Sequence, residues 1–169
     1  MPISMYQISV VPLIRALNNL SAVLQKGLEH AEARKIDPAV FSSARLFPDM
    51  LPLARQVHIA SDIAKACGAR LAGIDPPKYE DVEFTFPELQ ARIAKTIAFL
   101  KTLSAKQIDG AETREINFKN SGKSLTMPGL DYLLKFVQPN VHFHVTTAYG
   151  ILRHNGVEIG KADYQGKLD

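Results

Sequence analysis

The apolar residues Tyr6, Val10, Leu13, Leu17, Leu20, Leu24 and Leu28 recur at steps of three and four, which lays one stripe along a long helix. Pro12 falls inside that stripe. Lacking an amide donor, it is expected to bend the helix or delay its start. Glu29, Glu32, Arg34 and Lys35 mark the exit. The connector that follows, with Asp37-Pro38, Phe41 and Leu46-Phe47-Pro48, carries enough aromatic surface to pack down rather than float. A second helix is expected from about Asp49 to Leu71, with Leu53, Val57, Ala60, Ala64, Cys67 and Leu71 on one side. Pro52 falls in its first turn, where proline is tolerated. The small Ala60 and Ala64 allow a neighbouring helix to come close.

Gly73 to Pro77 breaks the chain. Thr85-Phe86-Pro87-Glu88 then reads as a capping box. It opens a third helix with Leu89, Ile93, Ile97 and Leu100 inward, ending before Asp109-Gly110. The period then drops to two. Ile116 and Phe118 alternate with polar residues, as do Leu125 and Met127, on either side of Asn120-Ser121-Gly122. This predicts a short β-hairpin, too small to stand alone and so lying on the helices. A fourth helix is expected from about Pro128 to His154, with Leu130, Leu134, Val137, Val141, His144, Ala148 and Ile151 inward and Asn155-Gly156 as its stop. The tail from Val157 to Asp169 reads as extended. The pattern is an all-α four-helix bundle with a hairpin between helices three and four, spanning 1–169 as one domain.

The bulk numbers fit this picture. The 169 residues are 46% hydrophobic and 22% charged, with a net charge of +3 spread along the chain. There is no basic stripe with aromatics, so nucleic-acid binding is not expected. Cys67 is the single cysteine and sits on an apolar stripe, which suits a reducing compartment and an inert buried thiol. The first residues lack a basic region followed by an apolar core, and no uncharged apolar run of about 18 residues occurs. No signal peptide, membrane span or membrane partner is expected, and the default location is the cytoplasm.

Histidine is the natural place to look for chemistry, because a bundle can build a site from imidazoles on facing helices. At 100° per residue, His144 lies within the apolar stripe of helix four, while His142, about 200° away, points outward. His58 lies about 160° from the stripe of helix two and also reads as exposed. His30 and His154 sit near helix ends. His144 is either a core histidine bonded to a neighbouring helix or a ligand-binding group. Gln56 flanks the stripe of helix two, and Asp49, seven residues earlier, shares its face. A carboxylate, an amide and an imidazole together would make a polar pocket in an apolar bundle. Asp49 also suits a helix N-cap, and Gln56 a core-edge hydrogen bond. Tyr149 and Arg153, four apart, lie off the stripe and could stack, bind an anion or simply form a solvated face. Gly122-Lys123-Ser124 is not a phosphate loop, because Asn117 stands where its first glycine is needed.

The segments Pro139-Asn140-Val141-His142-Phe143-His144-Val145-Thr146-Thr147-Ala148-Tyr149, Ile151 to Val157 and Gly160-Lys161-Ala162-Asp163-Tyr164, with Asp49 to Leu53 and Gln56-Val57, resemble an uncharacterised bacterial family of DinB-like helical bundles. The resemblance spans essentially the whole chain. It implies a homodimer. The wider superfamily resembles metal-dependent enzymes, some using small thiols, with one histidine on helix two and a pair four apart on helix four. Here His144 matches the second of that pair, Asn140 stands at the first, and His58 is the histidine on helix two. The leading expectation is a dimeric small-molecule-binding protein with a polar pocket around His144, Gln56, Asp49 and Tyr149. The alternative is a divalent-metal enzyme, a thiol-using transferase or hydrolase, holding zinc, nickel or iron with His144, His58 and His142.

Overall fold

A computed structural model describes residues 3–167. Helix α1 runs Met5–Arg34 and is capped by the Ser4 side chain, which accepts from the Gln7 amide. A short α2, Pro38–Ser43, lies in the connector, and α3 is Leu53–Leu71. Helix α4 is Phe86–Lys101, opened by the Thr85–Glu88 capping box, and α5 is the single turn Ala105–Ile108. Strands β1, Glu115–Asn120, and β2, Lys123–Pro128, pair antiparallel with Phe118 opposite Leu125. A helical run then continues from α6, Gly129–Asp131, through a π-helical turn, Tyr132–Val137, into α7, Gln138–His154. Last comes α8, Lys161–Gln165.

The four long helices form a ring in which α1 neighbours α4 and α7, and α3 neighbours the same two. The links from α1 to α3 and from α4 to α7 therefore cross the bundle, while α3 to α4 joins neighbours. Apolar stripes from all four meet in one core that includes Leu17, Leu24, Val57, Ala64, Leu89, Ile93, Val141 and Ala148. Helix α1 differs from the expectation that nothing here is apolar enough to cross a membrane, since its best 18-residue window reaches a mean hydropathy of 1.2. It is nonetheless two-faced, with Leu13, Leu17, Leu20 and Leu24 buried in the bundle and Gln7, Arg15, Asn18 and Gln25 exposed.

Pro12 neither bends α1 visibly into two elements nor delays its start. The carbonyl of Ile8, which loses its usual partner four residues on, accepts instead from the Gln138 side-chain amide at 3.1 Å. Helix α3 begins at Leu53, later than expected, and Pro52 precedes it. The tail is not wholly extended, because α8 folds back onto α1, with Lys26 paired to Asp163 at 2.6 Å. Leu168 and Asp169, the end of the expected extended tail, lie outside the described residues, as do Met1 and Pro2.

The hairpin is anchored by Ile116 and Phe118, both buried. The Phe118 ring packs 4.9 Å from Tyr132 and 4.6 Å from Phe136, centre to centre. Arg70 donates to the Tyr132 hydroxyl at 2.8 Å. Gly129 makes this junction possible, since a Cβ there would lie 2.0 Å from the Ala111 carbonyl oxygen. Gly129→Ala is accordingly expected to lower stability by about 1–3 kcal/mol, the usual cost of overpacking, because a backbone oxygen cannot rotate away. A urea-unfolding midpoint equal to the parent's would overturn that.

Candidate functional site

The sequence brings Gln56 of α3 and His144 of α7 to facing positions, and their side chains meet. His144 Nδ1 lies 2.7 Å from Gln56 Oε1, and Gln56 Nε2 donates to the Leu51 carbonyl at 2.8 Å. That carbonyl can only accept, which fixes the amide orientation and leaves Oε1 for the imidazole. Nδ1 must then carry the proton, and the lone pair falls on Nε2. Among the described residues no hydrogen-bond partner is recorded for Nε2. Burial holds the His144 pKa below its ordinary value, so the ring is neutral near pH 7. A neutral imidazole with its tautomer set and Nε2 unbound is a good acceptor for a ligand's hydroxyl or amide proton. The Phe143 ring stands edge-on to it, 5.2 Å between centres.

Phe143 also lines a groove of about 560 Å³ with Leu46, Pro139, His142, Thr146, Thr147, Tyr149 and Gly150. His144 is not among the lining residues: one residue along the helix from Phe143, its side chain turns about 100° away from the groove, toward Gln56.

The other expected partners do not join this pair. Asp49 is exposed in the turn before α3 and does not cap that helix, which starts four residues later. Tyr149 points toward the tail, its hydroxyl 3.4 Å from the Ile159 carbonyl and its ring 6.2 Å from that of Tyr164. His142 is exposed, as expected, with Nδ1 3.3 Å from the Tyr164 hydroxyl.

His58 corrects the expectation of an outward side chain. It is buried at 2% exposure, with Nε2 2.9 Å from the Glu83 carbonyl and Nδ1 3.3 Å from Arg55 Nη1. The reason is a polar strap, residues 73–85, laid over the polar side of α3 and α4. Arg92, whose side chain is 0% exposed, holds that strap from α4. It donates to Asp81 at 2.9 Å, Glu83 at 2.9 Å, Asp62 at 2.8 Å and the Glu80 carbonyl at 2.8 Å. Tyr79 lies under Lys65 and Lys95, 3.7 and 4.2 Å from its ring centre. Burial, then the charge of Arg92, keeps the His58 pKa below its ordinary value. Periodicity of apolar residues says nothing about a face covered by charges. The legible signal was Arg92 itself, three residues after Leu89 and four before Thr96, on the inward stripe.

The donor set does not fit the superfamily's metal. The α3 residue that meets His144 is the amide Gln56, and the position four before His144 is Asn140, whose amide donates to the Phe136 carbonyl at 2.6 Å. His58 and His142 belong to separate hydrogen-bond systems. Among the described residues no group of three or more His, Cys, Asp and Glu side chains is arranged to hold a metal ion. Cys67 is buried, and its thiol is pushed up to about 12 by burial, as suits an inert core residue.

The chain matches, over residues 5–165, the family described as a domain of unknown function, DUF1993. It is also similar to the crystal structure of a DinB family member protein from Shewanella denitrificans, with 41% identity, a TM-score of 0.87, and coverage of 96% of this chain and 92% of that one. No curated protein matches it. With the bundle, its hairpin and the His144 segment all inside the matched span, the chain belongs to the DUF1993 family and has the DinB-like helical fold.

Proposed function

We propose that this DinB-like protein is a dimeric small-molecule-binding protein whose recognition group is the His144–Gln56 pair. The observation that carries the reading is the fixed tautomer of His144. A backbone carbonyl orients an amide, the amide orients an imidazole, and the imidazole is left with an Nε2 that has no partner among the described residues. The ligand that suits it is a compact apolar molecule bearing one hydrogen-bond donor. A dimer is supported by the exposed apolar side chains that line the groove, Phe143 at 56% and Leu46 at 39%, and by exposed Phe47, next to Leu46 in the chain. The metal-dependent alternative finds no support in the donors, since its expected ligands His144, His58 and His142 sit in three different environments.

The test is titration with phenol, and with anisole as the same ring without a donor, read on the His144 ring nitrogens by NMR. Phenol is expected to bind about tenfold tighter than anisole, the upper end of what one hydrogen bond is worth. Equal affinities, or shifts confined to other histidines, would overturn the reading. In the same samples, sedimentation should give a dimer that Phe143→Glu converts to monomer, and a monomeric parent would remove the dimer.

A further inference from the structure

A second cavity, of about 310 Å³, lies where α8 folds back between α1 and α7. It is at the small end of the range for ligand sites, about 300–1,000 Å³. Its lining divides by chemistry. Pro12, Ala16 and Val145 are apolar, while Arg15, His142 and Tyr164 are polar. Among the described residues no acidic side chain lines it.

Arg15 is the informative residue. Its Nη2 donates to the carbonyls of Gln165 at 2.9 Å and Lys167 at 3.1 Å, which clamps the guanidinium against the tail. Among the described residues it has no carboxylate partner, and no bond is recorded from its Nη1 or Nε. The nearest acid on α8, Asp163, is already taken by Lys26 at 2.6 Å and the Gly160 amide at 2.8 Å. A guanidinium that is held but, among the described residues, not neutralised presents a preorganised pair of donors to an anion.

The opposite wall is fixed as well. The Tyr164 hydroxyl accepts from Thr146 Oγ1 at 3.2 Å and lies 3.3 Å from His142 Nδ1, and Asn19 donates to the Tyr164 carbonyl at 3.0 Å. On the far side of Tyr164 a smaller depression of about 190 Å³ contains Lys161, a second cation. Positive charge on both sides, no acid in the lining among the described residues and an apolar strip beside Arg15 define one ligand class.

We propose that this cavity binds a small monocarboxylate with an apolar body, the carboxylate on Arg15 and the body against Pro12, Ala16 and Val145. The inference stands apart from the His144 reading. Its anion partner is Arg15 of α1, and because His142 borders both this cavity and the groove beside Phe143, its signals are read together with the Arg15 and Ala16 variants.

The probe is hexanoate, titrated against the whole chain by calorimetry and by the His142 ring resonances. Hexanamide supplies the same body without charge, and inorganic phosphate supplies charge without a body. Hexanoate is expected to saturate and to bind at least about tenfold tighter than hexanamide, as a charged hydrogen bond predicts. Arg15→Gln should remove that advantage. Because Arg15 also holds the tail, Ala16→Leu provides a second variant that leaves the charge in place and fills the apolar strip, and it should abolish hexanoate binding. Equal affinity for hexanamide, phosphate binding as tight as hexanoate, or undiminished binding in Ala16→Leu would each overturn the proposal.

Discussion

Arg92→Met is expected to destabilise the protein by about 3 kcal/mol, the lower end of what removing one partner of a buried ion pair costs. The lower end applies because Asp62, Asp81 and Glu83 are 22–36% exposed and water can reach them once the guanidinium is gone. What is lost is the single group that ties three strap acceptors, and Asp62 of α3, to α4. Limited proteolysis should then cut within residues 73–85 before any other segment. Arg92→Lys should fall between the two, since an ammonium keeps the charge but not the planar fork. A loss below about 1 kcal/mol, the value of an exposed pair, would show that the network does not hold the strap.

The same network carries a pH signature. The folded His58 pKa lies below its ordinary 6.5, so the unfolded chain takes up the proton first and stability falls as the pH drops below 6.5 toward the folded value. Burial pushes Asp81 up, but the hydrogen bond and charge of Arg55, with Arg92 and His58, hold it below its ordinary 3.8. Its contribution is therefore present above 3.8 and is lost as the pH falls through the folded value. Removing Arg92 relieves its repulsion of His58, so the loss between neutral pH and pH 5 should be shallower in Arg92→Met than in the parent. Urea midpoints at a series of pH values read this directly.

Four helices, a capping box and a hairpin were legible because each writes a periodic or local pattern. The stripe from Leu13 to Leu24 needs only one buried side, and Thr85–Glu88 needs only its own four residues. His144 facing inward and its meeting with Gln56 followed from the same rotation. What failed were groups whose surroundings come from elsewhere in the chain. His58 read as exposed because a strap 25 residues downstream in sequence covers it with charge. Asp49 read as a cap because the start of α3 depends on Pro52 and on the Leu53 amide, which bonds back to the Ala44 carbonyl at 3.0 Å. Pro12 read as a bend because the group that satisfies Ile8 is Gln138, on another helix. Each error is a tertiary partner that no local rule contains.

Gln56→Leu is the substitution that bears most on the site. It removes the acceptor of His144 Nδ1 and the donor to the Leu51 carbonyl in one step while keeping the apolar volume. Leaving such groups unpaired costs about 1–3 kcal/mol. The more telling effect is on the imidazole itself. In the parent the proton sits on Nδ1 because Gln56 Oε1 is there to accept it. Without that acceptor nothing favours this tautomer, and Nε2 takes the proton. The ring nitrogen signals distinguish the two forms, so the parent should show a protonated Nδ1 and the variant a protonated Nε2. A ligand that donates to Nε2 then meets a donor instead of a lone pair, and its affinity should fall even where the groove beside Phe143 is unchanged. His144→Gln, which keeps a polar side chain but not the imidazole, should lose the same ligand. If Gln56→Leu leaves both the nitrogen pattern and ligand affinity unchanged, the amide is only a core hydrogen bond and His144 needs no orienting partner.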